Sequence, residues 1–143
     1  MLKVNDLMTS PVFSLKERDS LHNARELMNL QRIRHIPIVT VDNGFTGLIT
    51  HRDILSATIS HLAELDPETQ REIDSGIPLH EIMRTDITTI GLDTSLKEAA
   101  QILLNHKYGC LPVVKNGELV GILTEADFLR LTIQLMDSLE DED

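Results

Sequence analysis

The chain has 143 residues, of which 41% are hydrophobic and 3% aromatic, and its formal net charge is −10. Length and apolar content favour one compact unit with an aliphatic core, and the acidic balance disfavours nucleic acid and anionic membranes as partners. The single cysteine, Cys110, excludes an internal disulfide. No stretch approaches the roughly 20 apolar residues of a membrane span, and no secretory signal is recognised, so we expect a cytoplasmic protein.

The sequence repeats itself at an offset of 75 residues, as Pro37 and Pro112 illustrate, and after one loop the offset becomes 74. Each copy covers about 50 residues, which is marginal for an independent core. We therefore expect both copies to share one core in a single α+β module with pseudo-twofold symmetry. The predicted divisions are repeat one (residues 1–62), a linker with a short helix (63–80), repeat two (81–137) and an acidic tail (138–143).

The first predicted elements of each copy are a strand and a helix. In repeat one, residues 11–14 are expected to form a short extended segment. A helix is predicted to follow Ser20, a typical N-cap, because apolar residues then recur at helical spacing. In repeat two, Ser95 and Glu98 form the capping-box pattern ahead of the equivalent helix.

A β-hairpin is predicted next in each copy. The expected strands are residues 35–39 and 45–49 in repeat one, and residues 110–115 and 118–123 in repeat two. Asn116-Gly117 favours a tight turn, because both turn positions need a positive φ. Pro37 and Pro112 fit a sheet edge or a strand start, since proline has no N–H for a central ladder.

The last helix of each copy is predicted to begin at Thr50 and at Thr124, the first carrying apolar residues as far as Leu62. The second is apolar around much of its circumference, which favours homodimerisation over a purely internal contact. In the linker, Asp66-Pro67 and Gly76 predict the start and end of a short polar helix. Residues 138–143 are expected to be a disordered, solubilising tail.

The most specific local pattern is Gly-x-x-Thr-x-x-Asp, which contains Thr50 and Asp53 in repeat one and Thr124 and Asp127 in repeat two. After a strand, Thr-x-x-Asp is typical of a capping box. The same geometry suits a nucleotide, because helix N–H groups favour phosphate and a carboxylate can hold paired ribose hydroxyls. Both interpretations can hold at once.

The doubled arrangement resembles a tandem pair of cystathionine-β-synthase (CBS) domains, also called a Bateman module. The motifs that carry the resemblance are the lead-in segments Asp6-Leu7-Met8-Thr9 and Glu81-Ile82-Met83-Arg84, the apolar-Pro steps Ile36-Pro37 and Leu111-Pro112, and the two Gly-x-x-Thr-x-x-Asp segments. The resemblance spans nearly the whole chain. It implies a β-α-β-β-α fold for each copy and pairing of modules into a disc-shaped homodimer.

The resemblance also implies two sites for an adenosyl-containing small molecule. In the family the aspartate binds ribose hydroxyls and the threonine lies near ribose or phosphate. These roles fall to Thr50 and Asp53 in site 1, and to Thr124 and Asp127 in site 2. Backbone near the first strand and the apolar-Pro step encloses adenine, which implicates Val12, Ile36 and Pro37 in site 1, and Ile87, Leu111 and Pro112 in site 2.

The two copies differ in charge at these sites. The cations of site 1 are Arg34, His35, His51 and Arg52, and repeat two has Gly109, Cys110, Glu125 and Ala126 instead. At an effective dielectric near 20, a cation about 4 Å from a phosphate is worth roughly 4 kcal/mol before desolvation and screening. We therefore predict that site 1 binds AMP, ADP or ATP, and that site 2 binds weakly or takes an uncharged adenosyl group. The alternative for each cation is a solvated surface position.

No other chemistry is expected. The histidines lack the spacing of a metal site, and no nucleophile elbow or phosphate-loop lysine occurs, so we predict no metal, no catalytic cofactor and no enzyme activity. The leading hypothesis is a regulatory sensor that transmits binding of an adenine nucleotide to an unknown effector protein. The alternative is a ligand-independent dimerisation or docking module with degenerate clefts.

Overall fold

A computed structural model of the protein describes residues 2–59 and 66–141, which fall into two compact units. The repeat-one unit comprises residues 13–87, and the repeat-two unit comprises the residues up to Val12 together with those from Thr88 onward. The start of the chain therefore belongs to the repeat-two unit, although in sequence it was assigned to repeat one (residues 1–62). The predictions for Leu62, for linker residues 63–65 and for tail residues 142 and 143 lie outside the described residues.

The described residues form six α-helices and four strands. In chain order they are α1 (Val4–Leu7), α2 (Leu21–Gln31), β1 (His35–Val39), β2 (Phe45–Thr50), α3 (His51–Ile59), α4 (Pro67–Ser75), α5 (Leu96–His106), β3 (Cys110–Lys115), β4 (Glu118–Thr124) and α6 (Glu125–Asp141), with a 3-10 turn at Leu79–Glu81 between α4 and α5.

The second element of each copy begins at its predicted cap. Ser20 Oγ accepts a hydrogen bond from the Asn23 N–H at 3.2 Å, and the Asn23 side chain accepts from the Ser20 N–H at 2.9 Å. Ser95 Oγ likewise accepts from the Glu98 N–H at 3.1 Å. These bonds satisfy N–H groups that the first turn of a helix leaves without backbone partners, and so they set where α2 and α5 start.

The two predicted hairpins are confirmed as two separate antiparallel sheets, β1–β2 and β3–β4. Pro37 lies opposite Leu48, and Pro112 lies opposite Ile122. In the second hairpin, Asn116 and Gly117 have φ values of 53° and 81°, the left-handed conformation that the Asn-Gly pair predicts.

The first predicted strand of repeat one is corrected to a single β-bridge. Residues 11–14 form no strand, and Leu15 pairs in parallel with Ile38: its N–H donates to the Pro37 carbonyl, and its carbonyl accepts from the Val39 N–H. The next step back along a parallel ladder would need a donor at Pro37, which has none. Ile90 makes the same two bonds around Pro112, so proline limits both ladders to one step.

Each unit has its own aliphatic core, where the sequence predicted one shared core. The repeat-two core includes Val4 from α1, and the repeat-one core includes Leu79 from the turn before repeat two, each with no exposed surface. A copy of about 50 residues is marginal alone. Each copy is completed by an apolar residue from outside its own repeat, Val4 from the start of repeat one and Leu79 from the linker.

The linker helix α4 starts at the predicted cap, where the Asp66 carboxylate accepts from the Thr69 N–H at 2.7 Å. It is joined to α2 by Asp74, which is 1% exposed and accepts from Arg25 Nε at 2.9 Å and from Gln70 Nε2 at 2.8 Å. A buried carboxylate needs such partners, because desolvation penalises a charge left unpaired. The linker helix is therefore part of the repeat-one unit.

The final helix extends further than expected. Helix α6 continues to Asp141, so residues 138–141 of the predicted tail are helical. Among the described residues, no helix combines the length and the apolar character that crossing a membrane would require.

Candidate functional site

At site 1, Thr50 and Asp53 form a reciprocal capping box at the start of α3. Asp53 Oδ2 accepts from the Thr50 N–H at 2.9 Å, and Thr50 Oγ1 accepts from the Asp53 N–H at 3.1 Å. The structural interpretation of Thr-x-x-Asp is thus confirmed here. The carboxylate is held where strand β2 becomes helix α3, beside N–H groups that favour negative charge.

At site 2, Asp127 accepts more hydrogen bonds. Its Oδ2 accepts from the Thr124 N–H at 2.9 Å and from Thr124 Oγ1 at 3.3 Å, and its Oδ1 accepts from Arg130 Nη2 at 2.6 Å and from Thr9 Oγ1 at 3.3 Å. The Asp127 side chain is 4% exposed, against 11% for Asp53. The four bonds occupy the lone-pair positions of the carboxylate, so Asp127 is the less available acceptor.

The lead-in segments (residues 6–9 and 81–84) cross the glycines of the two Gly-x-x-Thr-x-x-Asp segments. A Cβ added at Gly47 would lie 2.8 Å from Met83 Sδ and 2.9 Å from the Arg84 carbonyl oxygen, and one added at Gly121 would collide with Met8 Sδ. Each glycine is therefore needed for close approach. The lead-in segment of one repeat docks on the hairpin of the other.

Docking brings different residues to the two carboxylates. Arg84 exchanges both backbone hydrogen bonds with Leu48 at 2.9 Å, and its Nε and Nη2 lie 2.9 and 2.8 Å from Asp53 Oδ1. The equivalent residue in the first lead-in segment, Thr9, gives Asp127 a neutral hydroxyl. The carboxylate of Asp53 raises the pKa of Arg84 by hydrogen bonding and by its charge.

The predicted cations of site 1 are gathered at the same end of the hairpin. The Arg34 carbonyl accepts from the His51 N–H at 2.8 Å, and His35 lies opposite Thr50 in the sheet. Arg34, His51 and Arg52 are exposed, and no side-chain ion pair of theirs occurs within residues 2–59 and 66–141. Arg34 and Arg52 thus add exposed positive charge, unpaired within the described residues, close to the start of α3 in the chain, with His51 between them in sequence.

The apolar residues predicted for the two sites fall into two groups, and the division is the same at both sites. Ile36 and Leu111 have no exposed surface, and Pro37 and Pro112 are buried, so these positions can present backbone rather than side chains to a ligand. Val12 belongs to the repeat-two unit and Ile87 to the repeat-one unit. Each therefore lies in a different unit from the other residues predicted for its site, and its assignment stays a prediction.

Other reactive groups are scarce in the part of the chain that is described. No cluster of three His, Cys, Asp or Glu side chains suited to a metal ion occurs there. Cys110 is 5% exposed, and burial raises the pKa of its thiol to about 12. A thiol that stays protonated is a poor nucleophile, which fits the interpretation of Cys110 as a small buried apolar residue.

Three polar partners of the aspartates were missed by the sequence reasoning: Thr9, Arg84 and Arg130. Thr9 and Arg84 occupy equivalent positions in the repeated lead-in motif, so their difference in charge was visible. Their contacts were not visible, because each docks on the other repeat. Arg130 is three residues after Asp127 on α6, a spacing at which helical side chains meet.

Solved structures share the fold over almost the whole chain. The crystal structure of AcuB from Vibrio cholerae, named for acetoin utilization, matches with a TM-score of 0.83 and 37% identity, covering 100% of this chain and 98% of that one. The structure of CBSX2 from Arabidopsis thaliana in complex with AMP matches with a TM-score of 0.79 and 25% identity, covering 95% of this chain and 99% of that one.

Curated relatives include proteins of similar and of greater length. A CBS domain-containing protein of Dictyostelium discoideum is 31% identical over 138 residues, covering 94% of this chain and 93% of its own. The chain spans only 23% to 42% of the length of other curated relatives that it matches. The CBS domain model matches residues 4–60 and 79–133. The chain thus belongs to the CBS domain family, as a tandem pair of CBS domains.

Proposed function

We propose that this protein is a regulatory module that binds an adenine nucleotide at site 1 and transmits binding to an effector protein. The observation that carries the proposal is the setting of Asp53: a carboxylate fixed at a helix start, with Arg34, His51 and Arg52 exposed around it. A carboxylate of this kind can hold the two ribose hydroxyls. The helix N–H groups and the cations favour the phosphates.

Site 2 is proposed as the weaker site. Its aspartate is more buried and accepts four hydrogen bonds. Glu125 opens α6 where His51 opens α3, which disfavours a phosphate. An uncharged adenosyl group fits this setting better than a nucleotide.

The comparison with CBSX2 supports an adenosyl ligand, because that 25% identical protein was crystallised with AMP. Choice among AMP, ADP and ATP is open, since the exposed cations could meet one phosphate or several. We propose a cytoplasmic protein without catalytic activity of its own. Ligand binding can shift a partner only if the two conformations of the module differ in affinity for the ligand.

We also propose a homodimer formed through α6. Five of its large apolar side chains are more than half exposed: Leu129, Ile133, Leu135, Met136 and Leu139. Leu129, Ile133 and Met136 follow the spacing of a helix-packing stripe. Sedimentation equilibrium tests this proposal: Ile133→Asp should convert a dimer to a monomer, and a wild-type monomer at micromolar concentration would refute it.

The apolar face of α6 also favours a second candidate, a docking module with ligand-free clefts, because such a face suits a protein partner. Thermal unfolding with AMP, ADP and ATP distinguishes the two candidates. A nucleotide at 100 times its Kd should stabilise the fold by about 2.7 kcal/mol, which raises Tm by several degrees. The 2′-deoxy form of AMP is the matched control, since it lacks one hydroxyl of the proposed grip and should stabilise less.

The outcomes of that experiment are distinct. A shift with a ribonucleotide that is smaller with its 2′-deoxy form supports the sensor. No shift with any adenine nucleotide, at concentrations up to several millimolar, supports the docking module instead.

A further inference from the structure

Arg84 is the strongest unexplained feature of site 1. Its backbone is fixed on β2 by two hydrogen bonds with Leu48, and its guanidinium reaches Asp53 from there. The side chain of Arg84 is 56% exposed, whereas that of Asp53 is 11% exposed. One end of this ion pair is thus held in the fold, and the other can turn toward solvent or toward a ligand.

The hydrogen bonds of Asp53 leave too few acceptor positions for a ribose. Oδ2 accepts from the Thr50 N–H, and Oδ1 accepts from Arg84 Nε at 2.9 Å and also lies 2.8 Å from Arg84 Nη2. A carboxylate oxygen has about two lone-pair positions, so Oδ2 can take one more donor, whereas Oδ1 is covered by the guanidinium. Two ribose hydroxyls can bind Asp53 together only if Arg84 releases Oδ1.

We propose that Arg84 is a specificity-determining residue of site 1, which selects phosphorylated adenosyl ligands by exchanging the Asp53 carboxylate for a ligand phosphate. The inference rests on the proposed nucleotide binding at this site. A nucleotide gives the released guanidinium a new anionic partner, for which its planar fork is well suited. Adenosine displaces the same guanidinium and offers no anion in return.

At site 2, the position equivalent to Arg84 is occupied by a neutral residue, Thr9. Thr9, at the position equivalent to Arg84, makes the corresponding backbone pairing with Ile122 and reaches Asp127 through a neutral hydroxyl. Threonine is therefore compatible with the backbone conformation of a docked lead-in segment. This makes Arg84→Thr compatible with the fold, and the change removes the guanidinium together with most of its alkyl chain.

Calorimetric titrations with AMP and with adenosine test the proposal on wild type, Arg84→Thr and Arg71→Thr. Arg71 lies exposed on α4 in the same unit, with no ion pair among the described residues, so its replacement matches the change in net charge. Loss of one charge-assisted contact predicts that Arg84→Thr lowers the ratio of AMP affinity to adenosine affinity by about tenfold. Arg71→Thr should leave the ratio at its wild-type value.

Each outcome has a definite meaning. A ratio that falls only in Arg84→Thr supports the proposal, and so does adenosine binding that appears only in that variant. AMP binding with the same ratio in all three proteins overturns the role of Arg84 and leaves nucleotide binding standing. Absence of AMP and adenosine binding in all three overturns the proposed function and this inference with it. If Arg84→Thr fails to fold by circular dichroism, Arg84→Lys replaces it: retention of the full ratio there would contradict a role for the guanidinium fork.

Discussion

Asp53 and Asp127 each combine two tasks in one side chain. Each carboxylate accepts from the backbone N–H of the threonine three residues earlier, and each also meets an arginine. A helix cap of this kind contributes about 1 kcal/mol, so the aspartates stabilise the fold even without a ligand. Retention of an aspartate in both repeats is therefore weak evidence that both sites bind.

Residue types and spacing correctly predicted that these two aspartates cap their helices. The partners of the carboxylates were beyond such reasoning, because Arg84 lies 31 positions from Asp53, and Thr9 lies 118 positions from Asp127. Contacts at such separations depend on how the chain folds back. The sequence pattern within one repeat does not indicate these long-range contacts.

At the residue scale, we predict that Cys110 makes stability depend on pH above neutrality. Burial raises the pKa of its thiol from an ordinary 9.0 to about 12. Below pH 9 the thiol is protonated in both the folded and the unfolded state, and its contribution is fully present. As pH rises from 9 toward 12, only the unfolded state loses the proton, so the free energy of unfolding falls by about 1.4 kcal/mol per pH unit.

The measurement is urea unfolding of wild type and Cys110→Ala at pH 8 and pH 10.5. The advantage of wild type over the variant should shrink by about 2 kcal/mol at the higher pH. Other titrating groups are common to both proteins and cancel in the comparison. A constant difference between the two proteins would show that the thiol is ionised as readily in the folded state as in the unfolded state.

At the scale of elements, the lead-in segments are the least expected feature. Their backbone bridges, Thr9 with Ile122 and Arg84 with Leu48, attach each to the hairpin of the other repeat. The hairpins were predictable, since Asn-Gly turns and strand composition are local signals. The exchange of lead-in segments between repeats was not predictable. Both segments carry a methionine at the contact, Met8 and Met83, so the residue types do not indicate which hairpin each segment contacts.

We predict that Gly47→Ala loosens the second lead-in segment. The new Cβ would meet Met83 Sδ at 2.8 Å and the Arg84 carbonyl oxygen at 2.9 Å. The methionine can move aside, but the carbonyl belongs to the backbone that pairs with Leu48. Such overpacking should lower the free energy of unfolding by about 1–3 kcal/mol in urea denaturation.

Gly76→Ala is the matched control in the same unit. Its Cβ would find its nearest neighbour at 3.5 Å, an ordinary contact, and its φ of −90° suits alanine. This variant should therefore be within about 0.5 kcal/mol of wild type. Equal destabilisation by both changes would mean that close approach at Gly47 is not what fixes the lead-in segment.

Pro37 explains why the first strand of repeat one is shorter than predicted. Residues 11–14 were expected to be extended, but pairing with β1 is limited to Leu15, because Pro37 has no N–H for an earlier step. Pro37 was predicted not to lie in a central ladder, because proline has no N–H. The neighbouring strand is the one affected, since it loses its hydrogen-bond partner at Pro37.

At the scale of the whole molecule, the duplication predicted the order of elements and the family, and it predicted paired sites. It did not predict a core for each unit. Each lead-in segment, together with Val4 or Leu79 just before it, packs in the unit of the other repeat. The same exchange makes the sites unequal, because it delivers Arg84 to one carboxylate and Thr9 to the other.

Unequal sites are the central claim, and calorimetric titration of AMP into Asp53→Asn and Asp127→Asn tests it most directly. Asparagine keeps the size of the side chain and an oxygen that can still accept from the capped N–H, so the change removes the charge and one acceptor oxygen. We predict that Asp53→Asn weakens AMP binding at least about tenfold, as expected for loss of charge-assisted hydrogen bonds, and that Asp127→Asn changes it by less than about threefold. Equal losses, or a larger loss in Asp127→Asn, would contradict the account.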